Sequence, residues 1–266
     1  MLQVFKGFYE THPLWKHQQF GLQQFEFPDL EINQLPSLQL PSNLRLGHQM
    51  ELVFQHYINS SSSYELIANN ITVEEGKIRV GELDFIIKEK RKHRYLHVEL
   101  AYKFYIINPE ISEPIYRLMG PNKRDMFYTK MDKLKDKQFP LLNHPNLFPI
   151  WDTHQINPAE IRQECCFKAQ LFQPFGERVS IRPLNLECIM GSWIRFDDFN
   201  SKEFQTAHYY IPRKLEWVIT PHEDVPWMSH FETLLEVNIR MVKENAPMLW
   251  VKKPEGRLEK LFVVWW

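Results

Sequence analysis

Two acidic residues on consecutive predicted strands form the clearest chemical pattern in the sequence. Asp84 lies in IRVGELDFIIK and Glu99 lies in YLHVELAYKFYII, with the charged turn KEKRKHR between them. If the two segments pair as neighbouring strands, their carboxylates converge. Acids that meet in a partly buried place repel each other unless a cation or a proton lies between them. Together with water and carbonyl oxygens, they suit Mg²⁺ or Mn²⁺.

Two further residues can take part in this chemistry. Lys103 shares a predicted strand face with Glu99 and can place a positive charge near a scissile phosphate. Glu51, in a predicted helix among apolar neighbours, can add a metal ligand or position a water molecule. The same pattern has a structural interpretation, because half-solvated antiparallel sheets also alternate charged and apolar residues. Glu99 and Lys103 are then a surface ion pair, and Glu51 is an exposed helix residue.

A basic segment, GPNKRDMFYTKMDKLKDKQF, is the second candidate feature. Asn122 as an N-cap predicts a helix that runs to near Gln138. Such a helix can follow a phosphate backbone, and the free N–H groups at its start can bind an anion. The candidate nucleic-acid-binding residues are Asn122, Lys123, Arg124 and Lys130. The interspersed aspartates equally fit a solvated surface.

Hydrophobic periodicity predicts the elements that position these residues. Apolar residues at helical spacing predict a helix over 44–58 with Asn43 as its N-cap. Three β-rich segments follow and predict a meander, and CFKAQLFQPF predicts a further strand after the basic helix. Residues 44–175 therefore form a predicted core of helix, three strands, helix and strand.

The segments on either side of this core differ from it in pattern. Residues 1–43, rich in Gln and Pro, predict a short helix near 14–25 and then an extended arm. Residues 176–266 predict a C-terminal α+β extension with a helix at about 229–244. Its predicted strands are LECIMGSWIRF, LEWVIT, PMLWVKK and LEKLFVVWW.

Composition limits the classes of protein to consider. The chain has 266 residues and a formal net charge of −1, so any nucleic-acid site must be a local basic patch. Three cysteines do not indicate a disulfide framework. The N-terminus lacks the apolar run of a signal peptide, and no stretch approaches the roughly 20 apolar residues that span a bilayer. We expect a cytoplasmic protein without a membrane segment.

Several motifs, taken in order, resemble an uncharacterised bacterial family, domain of unknown function 1853. They are Leu46-Gly47 with Glu51, GELDF, HVELAYKFY, MGPNKRD, KAQLFQPF, GSW, LEWVITP and LFVVWW. The resemblance covers nearly the whole chain. It implies a mixed α/β (α+β) fold with a restriction-endonuclease-like core, because the family is grouped with the PD-(D/E)xK phosphodiesterases.

The resemblance also implies roles for the acidic residues and the lysine. Asp84 and Glu99 match the metal-binding acids, Glu51 matches the acid of the first helix, and Lys103 matches the lysine. Together they would bind Mg²⁺ or Mn²⁺ and activate water. Two departures stand out: Glu82-Leu83 replaces the usual proline, and Lys103 follows Glu99 by four residues instead of two, about 13 Å along a strand.

Three functional hypotheses follow from these observations. The first is a divalent-metal-dependent nuclease that acts on nucleic acid. The second is a non-catalytic module on the same scaffold that binds nucleic acid or a protein, which the near-neutral charge and the displaced lysine favour. The third is a structural protein with ion-paired strands that binds no metal.

Overall fold

A computed structural model describes residues 2–27, 30 and 38–266 of the chain, which form a mixed α/β protein. The α-helices are α1 (Leu2–Glu10), α2 (Leu46–Ser60), α3 (Phe127–Lys133), α4 (Phe148–His154), α5 (Phe196–Phe199) and α6 (His230–Val242). The longer strands are β3 (Tyr64–Glu75), β4 (Ile78–Glu89), β5 (Arg94–Ile107), β7 (Arg162–Pro174), β8 (Ile189–Arg195), β10 (Met248–Lys252) and β11 (Leu258–Val264). The short strands are β1 (Gln18–Gln19), β2 (Leu22–Gln24), β6 (Leu118–Met119) and β9 (His208–Tyr210).

The chain divides into two compact units, each formed by three separate segments of the sequence. The first unit contains Met1–Phe5, Pro13–Tyr102 and Thr129–Lys168. The second contains Lys6–His12, Lys103–Tyr128 and Ala169–Trp266. The predicted core at 44–175 therefore contributes residues to both units.

The first unit is built on the β3–β4–β5 meander. The β4 and β5 strands pair antiparallel from Glu89/Arg94 at the turn to Phe85/Val98. Helix α2 packs on this meander through Phe54, whose ring lies 4.7 Å from that of Phe85. A second apolar cluster joins β3 and β4 to the segment after α3, with Leu83, Ile86, Leu142 and Trp151 fully or almost fully buried. Both clusters hold β4 in place through its buried side chains.

In the second unit, strand β8 lies between two parallel neighbours. It pairs with the end of β7 and with β11, which pairs antiparallel with β10. Gly191 of β8 is needed at its position, because a Cβ atom there would lie 2.2 Å from the Lys260 carbonyl oxygen. Helix α6 covers one side of this group of strands through Val237, which packs in a cluster with Tyr209, Leu249 and Val263.

Most of the predicted elements are present in the structure. The helix over 44–58 is α2, the three β-rich segments are β3, β4 and β5, and CFKAQLFQPF lies in β7. The helix at about 229–244 is α6, which begins after a capping box formed by Ser229 and Glu232. The predicted strands at 186–196, 247–253 and 258–266 correspond to β8, β10 and β11.

The predicted helix near 14–25 is wrong. The segment forms the β1–β2 hairpin, because His17, Phe20 and Gly21 adopt the left-handed backbone conformation, which does not continue a right-handed helix. The helix of this region is α1, which ends at Glu10. The predicted arm falls partly on residues 28, 29 and 31–37, which lie outside the described residues.

Three other predictions of element type or boundary are also wrong. The basic helix begins at Phe127 and not at Asn122, because Gly120 and Asp125 close a turn and Lys123 has a positive φ. LEWVIT forms a 3₁₀ helix at Lys214–Val218, where the Glu216 carboxylate accepts from the backbone N–H of Arg213. The residue that precedes helix α2 is Arg45 and not Asn43, and it forms no side-chain cap.

Within the described residues, no helix has the length and apolar character needed to cross a bilayer.

Candidate active site

The carboxyl groups of Asp84 and Glu99 meet where the regular pairing of β4 with β5 gives way to side-chain contacts. The Asp84 Oδ2 atom accepts a hydrogen bond from the Leu100 backbone N–H at 2.8 Å. The Glu99 Oε1 atom accepts from the Asp84 backbone N–H at 3.4 Å. Each acid thus bonds to a backbone N–H of the opposite strand. The two residues are buried and face each other, as their strand positions predict.

His97, two residues before Glu99 on the same strand, orients the glutamate. Its Nε2 atom lies 2.9 Å from Glu99 Oε1, and its Nδ1 atom lies 3.2 Å from Gln163 Nε2. Because Gln163 Nε2 can only donate, Nδ1 is an acceptor and Nε2 carries the proton. The neutral imidazole therefore donates a hydrogen bond to Glu99. The same Gln163 amide donates to the Phe139 carbonyl at 2.7 Å, which fixes its position.

Gln138 connects Glu99 to a lysine. Its Nε2 group donates to Glu99 Oε2, and its Oε1 atom accepts from the Lys130 ammonium group at 3.1 Å. Lys130 lies on α3, and Gln138 ends the π-helical turn Leu134–Gln138 that continues this helix. Single π-turns within helices often occur at functional sites because they redirect side chains. Here the turn supplies the amide that links the helix to the acid pair.

Burial dominates the protonation equilibria of this cluster. Burial, together with the neighbouring Glu99 charge, raises the pKa of Asp84 to about 8, against the opposing effects of the Leu100 N–H and Lys130. Burial also raises the pKa of Glu99 to about 7, opposed mainly by Lys130 and by hydrogen bonds from Asp84. Burial lowers the pKa of His97 to about 4, so the imidazole is neutral. Without a cation, the acid pair therefore retains a proton near neutral pH.

We expect the acid pair to make the protein less stable as the pH rises from about 6.5 to about 8. In the unfolded chain both carboxyls are already ionised in this range, whereas in the folded protein they lose their protons as the pH passes about 7 and about 8. The folded state thus binds more protons, and the free energy of unfolding falls with pH. His97 is neutral in the folded protein over this range, whereas in the unfolded chain it loses its remaining proton just above its ordinary pKa of 6.5, which has a smaller effect on stability of the opposite sign.

The contribution of Asp84 can be isolated by thermal unfolding of wild type and Asp84→Asn across this pH range in metal-free buffer. Between pH 6.5 and 8 the variant should gain about 1–2 kcal/mol relative to wild type, because it has no proton to lose. The comparison also cancels Lys260, whose pKa burial lowers to about 7 and whose effect on stability has the opposite sign. Parallel stability curves for the two proteins would contradict the raised pKa of Asp84.

The other predicted site residues lie in different surroundings. Glu51 is near enough for its charge to raise the pKa of Asp84, and its carboxylate lies 3.1 Å from His48 Nδ1. Lys103 belongs to the second unit, where its ammonium group forms a 2.6 Å ion pair with Asp125. In place of Lys103, the lysine that acts on the two acids is Lys130.

The predicted anion-binding helix start is not formed at Asn122. The Asn122 side chain instead accepts from the Ala246 backbone N–H at 2.7 Å. The Lys123 ammonium group lies over the Trp266 ring, 3.9 Å from its centre, and Arg124 is exposed. These three residues belong to the second unit, whereas Lys130 belongs to the first.

Three site residues were not identified from the sequence: His97, Gln138 and Gln163. His97 carried a usable signal, because it shares a strand face with Glu99. The two glutamines carried none, since both are distant from the acids in the sequence. Among the described residues, no group of three or more His, Cys, Asp or Glu residues has an arrangement that would hold a metal ion.

The fold and the site define a mixed α/β protein with a buried acid pair on adjacent strands and a lysine joined to it through an amide. The chain belongs to the family described as domain of unknown function DUF1853, whose model matches residues 15–264. No curated protein and no solved structure matches the chain.

Proposed function

We propose that the protein is a divalent-metal-dependent phosphodiesterase that acts on nucleic acid. The observation that carries this proposal is the buried convergence of Asp84 and Glu99 on adjacent strands. Within the described part of the chain, neither acid forms a salt bridge with a lysine or arginine. Two buried carboxyls without such a partner must share a proton or bind a cation.

The hydrogen bonds of the two acids indicate how a cation would bind. A carboxylate offers about four lone-pair sites. Glu99 uses its sites for Asp84 N–H, His97 and Gln138, whereas Asp84 uses one for Leu100 N–H. Asp84 is thus the principal candidate ligand, and Glu99 is the second. Mg²⁺ commonly binds through one or two carboxylates, with water and substrate phosphates completing its shell, so a third protein acid is not required.

Lys130 and Glu51 have supporting roles in this proposal. Lys130 lies close enough for its charge to lower the pKa of both acids. It would stabilise the negative charge that develops on the phosphate. Glu51 would position a water molecule or support a second ion. A metal at Asp84 and Glu99 would supply Lewis-acid activation of water and phosphate. Mn²⁺ is the expected substitute for Mg²⁺, because both prefer oxygen ligands.

Positive charges near the acid pair support nucleic acid as the proposed substrate class. Lys133, one turn along from Lys130, is exposed and lowers the pKa of Glu99. Lys135 and Lys137 are also exposed on the following turn. Lys133 and Lys137, four residues apart, lie toward one side of this segment and would contact neighbouring phosphates, even though Asp132 and Asp136 are exposed beside them and the net charge of the chain is −1.

A second candidate is a binding module without catalysis. The donors already bound to Glu99 favour it, since they stabilise the acid pair without a metal. This alternative predicts salt-dependent binding of nucleic acid without turnover. It also predicts that Asp84→Asn and Glu99→Gln leave binding intact.

Cleavage and metal binding, measured together, test the proposal. Labelled single- and double-stranded DNA and RNA are incubated with the purified protein and Mg²⁺ or Mn²⁺, and with EDTA in the control. We expect cleavage with the metals and none with EDTA, and calorimetry should detect binding of the same ions. Salt-dependent binding without cleavage in any condition would instead support the second candidate. The absence of metal binding at any pH up to about 9 would exclude the phosphodiesterase.

A further inference from the structure

Helix α6 presents apolar residues on two sides. Its inner side is accounted for: Val237 and Thr233 are fully buried, and Leu234 and Met241 pack against the strands of the second unit. Four large apolar side chains on the other side remain exposed. They are Phe231 (68% exposed), Leu235 (53%), Ile239 (52%) and Val242 (81%).

The spacing of these four residues places them in a single stripe. They lie at intervals of four, four and three positions, so at 100° per residue they fall within an arc of about 80°. A surface helix ordinarily has charged and polar residues on this side. Single exposed apolar residues are common, but a continuous row along a whole helix marks an interaction surface. The spacing is also that of the contacting positions in paired helices.

Charges along one edge of the stripe change sign between its two ends. Glu232, in the first turn of α6, and Lys243, at its end, are the charged residues that lie nearest this edge. When the two-fold axis is perpendicular to the helix, the two copies run antiparallel, and the same edge of each helix then meets its counterpart. The acidic half of one copy therefore faces the basic half of the other. Parallel pairing would bring opposite edges together and leave these charges without such partners.

We propose that the exposed stripe of α6 is the interface of a homodimer with two-fold symmetry. In the antiparallel alignment Phe231 contacts the partner's Val242, and Leu235 contacts the partner's Ile239. Glu232 then faces the partner's Lys243, and Lys243 faces the partner's Glu232. Glu236 and Arg240 lie farther from the stripe and form a 2.8 Å ion pair within the helix. This inference is independent of the proposed catalytic function.

The size of the stripe predicts a reversible dimer. The exposed parts of the four side chains amount to roughly 400 Å² per copy, comparable with the largest apolar patch on a typical monomer. Two copies with their flanking charged residues approach the lower end of specific interfaces, about 1,200 Å² in total. We therefore expect association that depends on protein concentration within the micromolar range.

Sedimentation velocity over a wide range of concentrations tests the interface. Wild type should shift from monomer to dimer as the concentration rises, and Ile239→Glu should remain monomeric at concentrations at least ~10-fold higher. Ile78→Glu is the matched control, because Ile78 is 72% exposed outside α6, and it should dimerise like wild type. Circular dichroism should show that both variants remain folded, since neither side chain is buried.

Cysteine cross-linking tests the alignment of the two helices. Phe231→Cys and Val242→Cys should each fail to form a disulfide dimer alone, but an equal mixture of the two should form one. Cross-linking of Phe231→Cys to itself would indicate parallel pairing and contradict the antiparallel alignment. The described native cysteines are buried and should not compete.

Two results would overturn the proposal. One is a wild-type protein that stays monomeric over the whole concentration range, in which case α6 would serve a different partner. The other is a dimer that persists unchanged in folded Ile239→Glu.

Discussion

Asp84→Asn should lose metal-dependent cleavage by at least ~100-fold and should bind Mg²⁺ or Mn²⁺ far more weakly. Asparagine keeps the size of the side chain and can still accept the Leu100 N–H through its carbonyl oxygen. It removes the negative charge from the acid that has the most free lone pairs. The loss should therefore arise from metal binding and not from unfolding. Cleavage rates and calorimetric titrations of wild type and variant provide the measurement.

The stability of Asp84→Asn provides an internal check on this result. Because the variant removes a carboxyl that burial and Glu99 hold partly protonated, its melting temperature should equal or exceed that of metal-free wild type at pH 8. A ligand residue of this kind lowers stability while it serves function. If Asp84→Asn were both inactive and unfolded, misfolding would explain its loss of activity. The activity of Glu99→Gln is therefore measured as well, as a second variant of the acid pair.

Glu82→Gln is the matched control for Asp84→Asn. Glu82 lies two residues earlier on β4, and its carboxylate is paired with Arg79 and hydrogen-bonded to Thr72. Its removal changes the same charge on the same strand without altering the acid pair. The control should keep full activity. Equal losses in both variants would indicate a general effect of charge, and full activity in Asp84→Asn would remove the aspartate from the mechanism.

The meander and its acids could be predicted because the signals are local. Alternation along β4 and β5, with a charged turn between them, determines which residues face each other. The same alternation places Asp84 opposite Glu99, and the hydrogen bonds between the strands agree with this register. In these strands the two-residue alternation of side chains and the composition of the turn favour the same structure. Local sequence preference and tertiary packing therefore agree.

The start of the basic helix and the position of its lysine could not be predicted in this way. Asn is a common N-cap residue, but the segment that contains Asn122 forms a turn closed by Gly120 and Asp125. The helix therefore begins at Phe127. The interaction of Lys130 with Glu99 depends on Gln138, which a π-helical turn brings toward the acid. Such a contact depends on how the helix packs, and helix periodicity alone does not reveal it.

Lys130→Met should reduce the rate of cleavage by about 100-fold while leaving metal affinity unchanged or increased. The methionine keeps the length of the side chain but removes the positive charge that would stabilise the developing charge on the phosphate. The same positive charge lowers the pKa of Asp84 and Glu99, and it also repels a bound cation. Its loss should therefore shift the pH dependence of cleavage to higher pH while saturating cation still binds. Single-turnover rates over a pH series, together with calorimetry, separate these effects.

Lys103→Met distinguishes the two candidate lysines. The Lys103 ammonium group is paired with Asp125 at 2.6 Å, so its removal should leave the cleavage rate and its pH dependence unaltered apart from a small change in stability. If Lys103→Met is inactive and Lys130→Met is normal, then Lys103 of β5 is the functional lysine. The assignment of this role to Lys130 of α3 would be wrong. If neither substitution alters the rate, cleavage requires no lysine at this site, and the acid pair with its metal must account for the charge stabilisation alone.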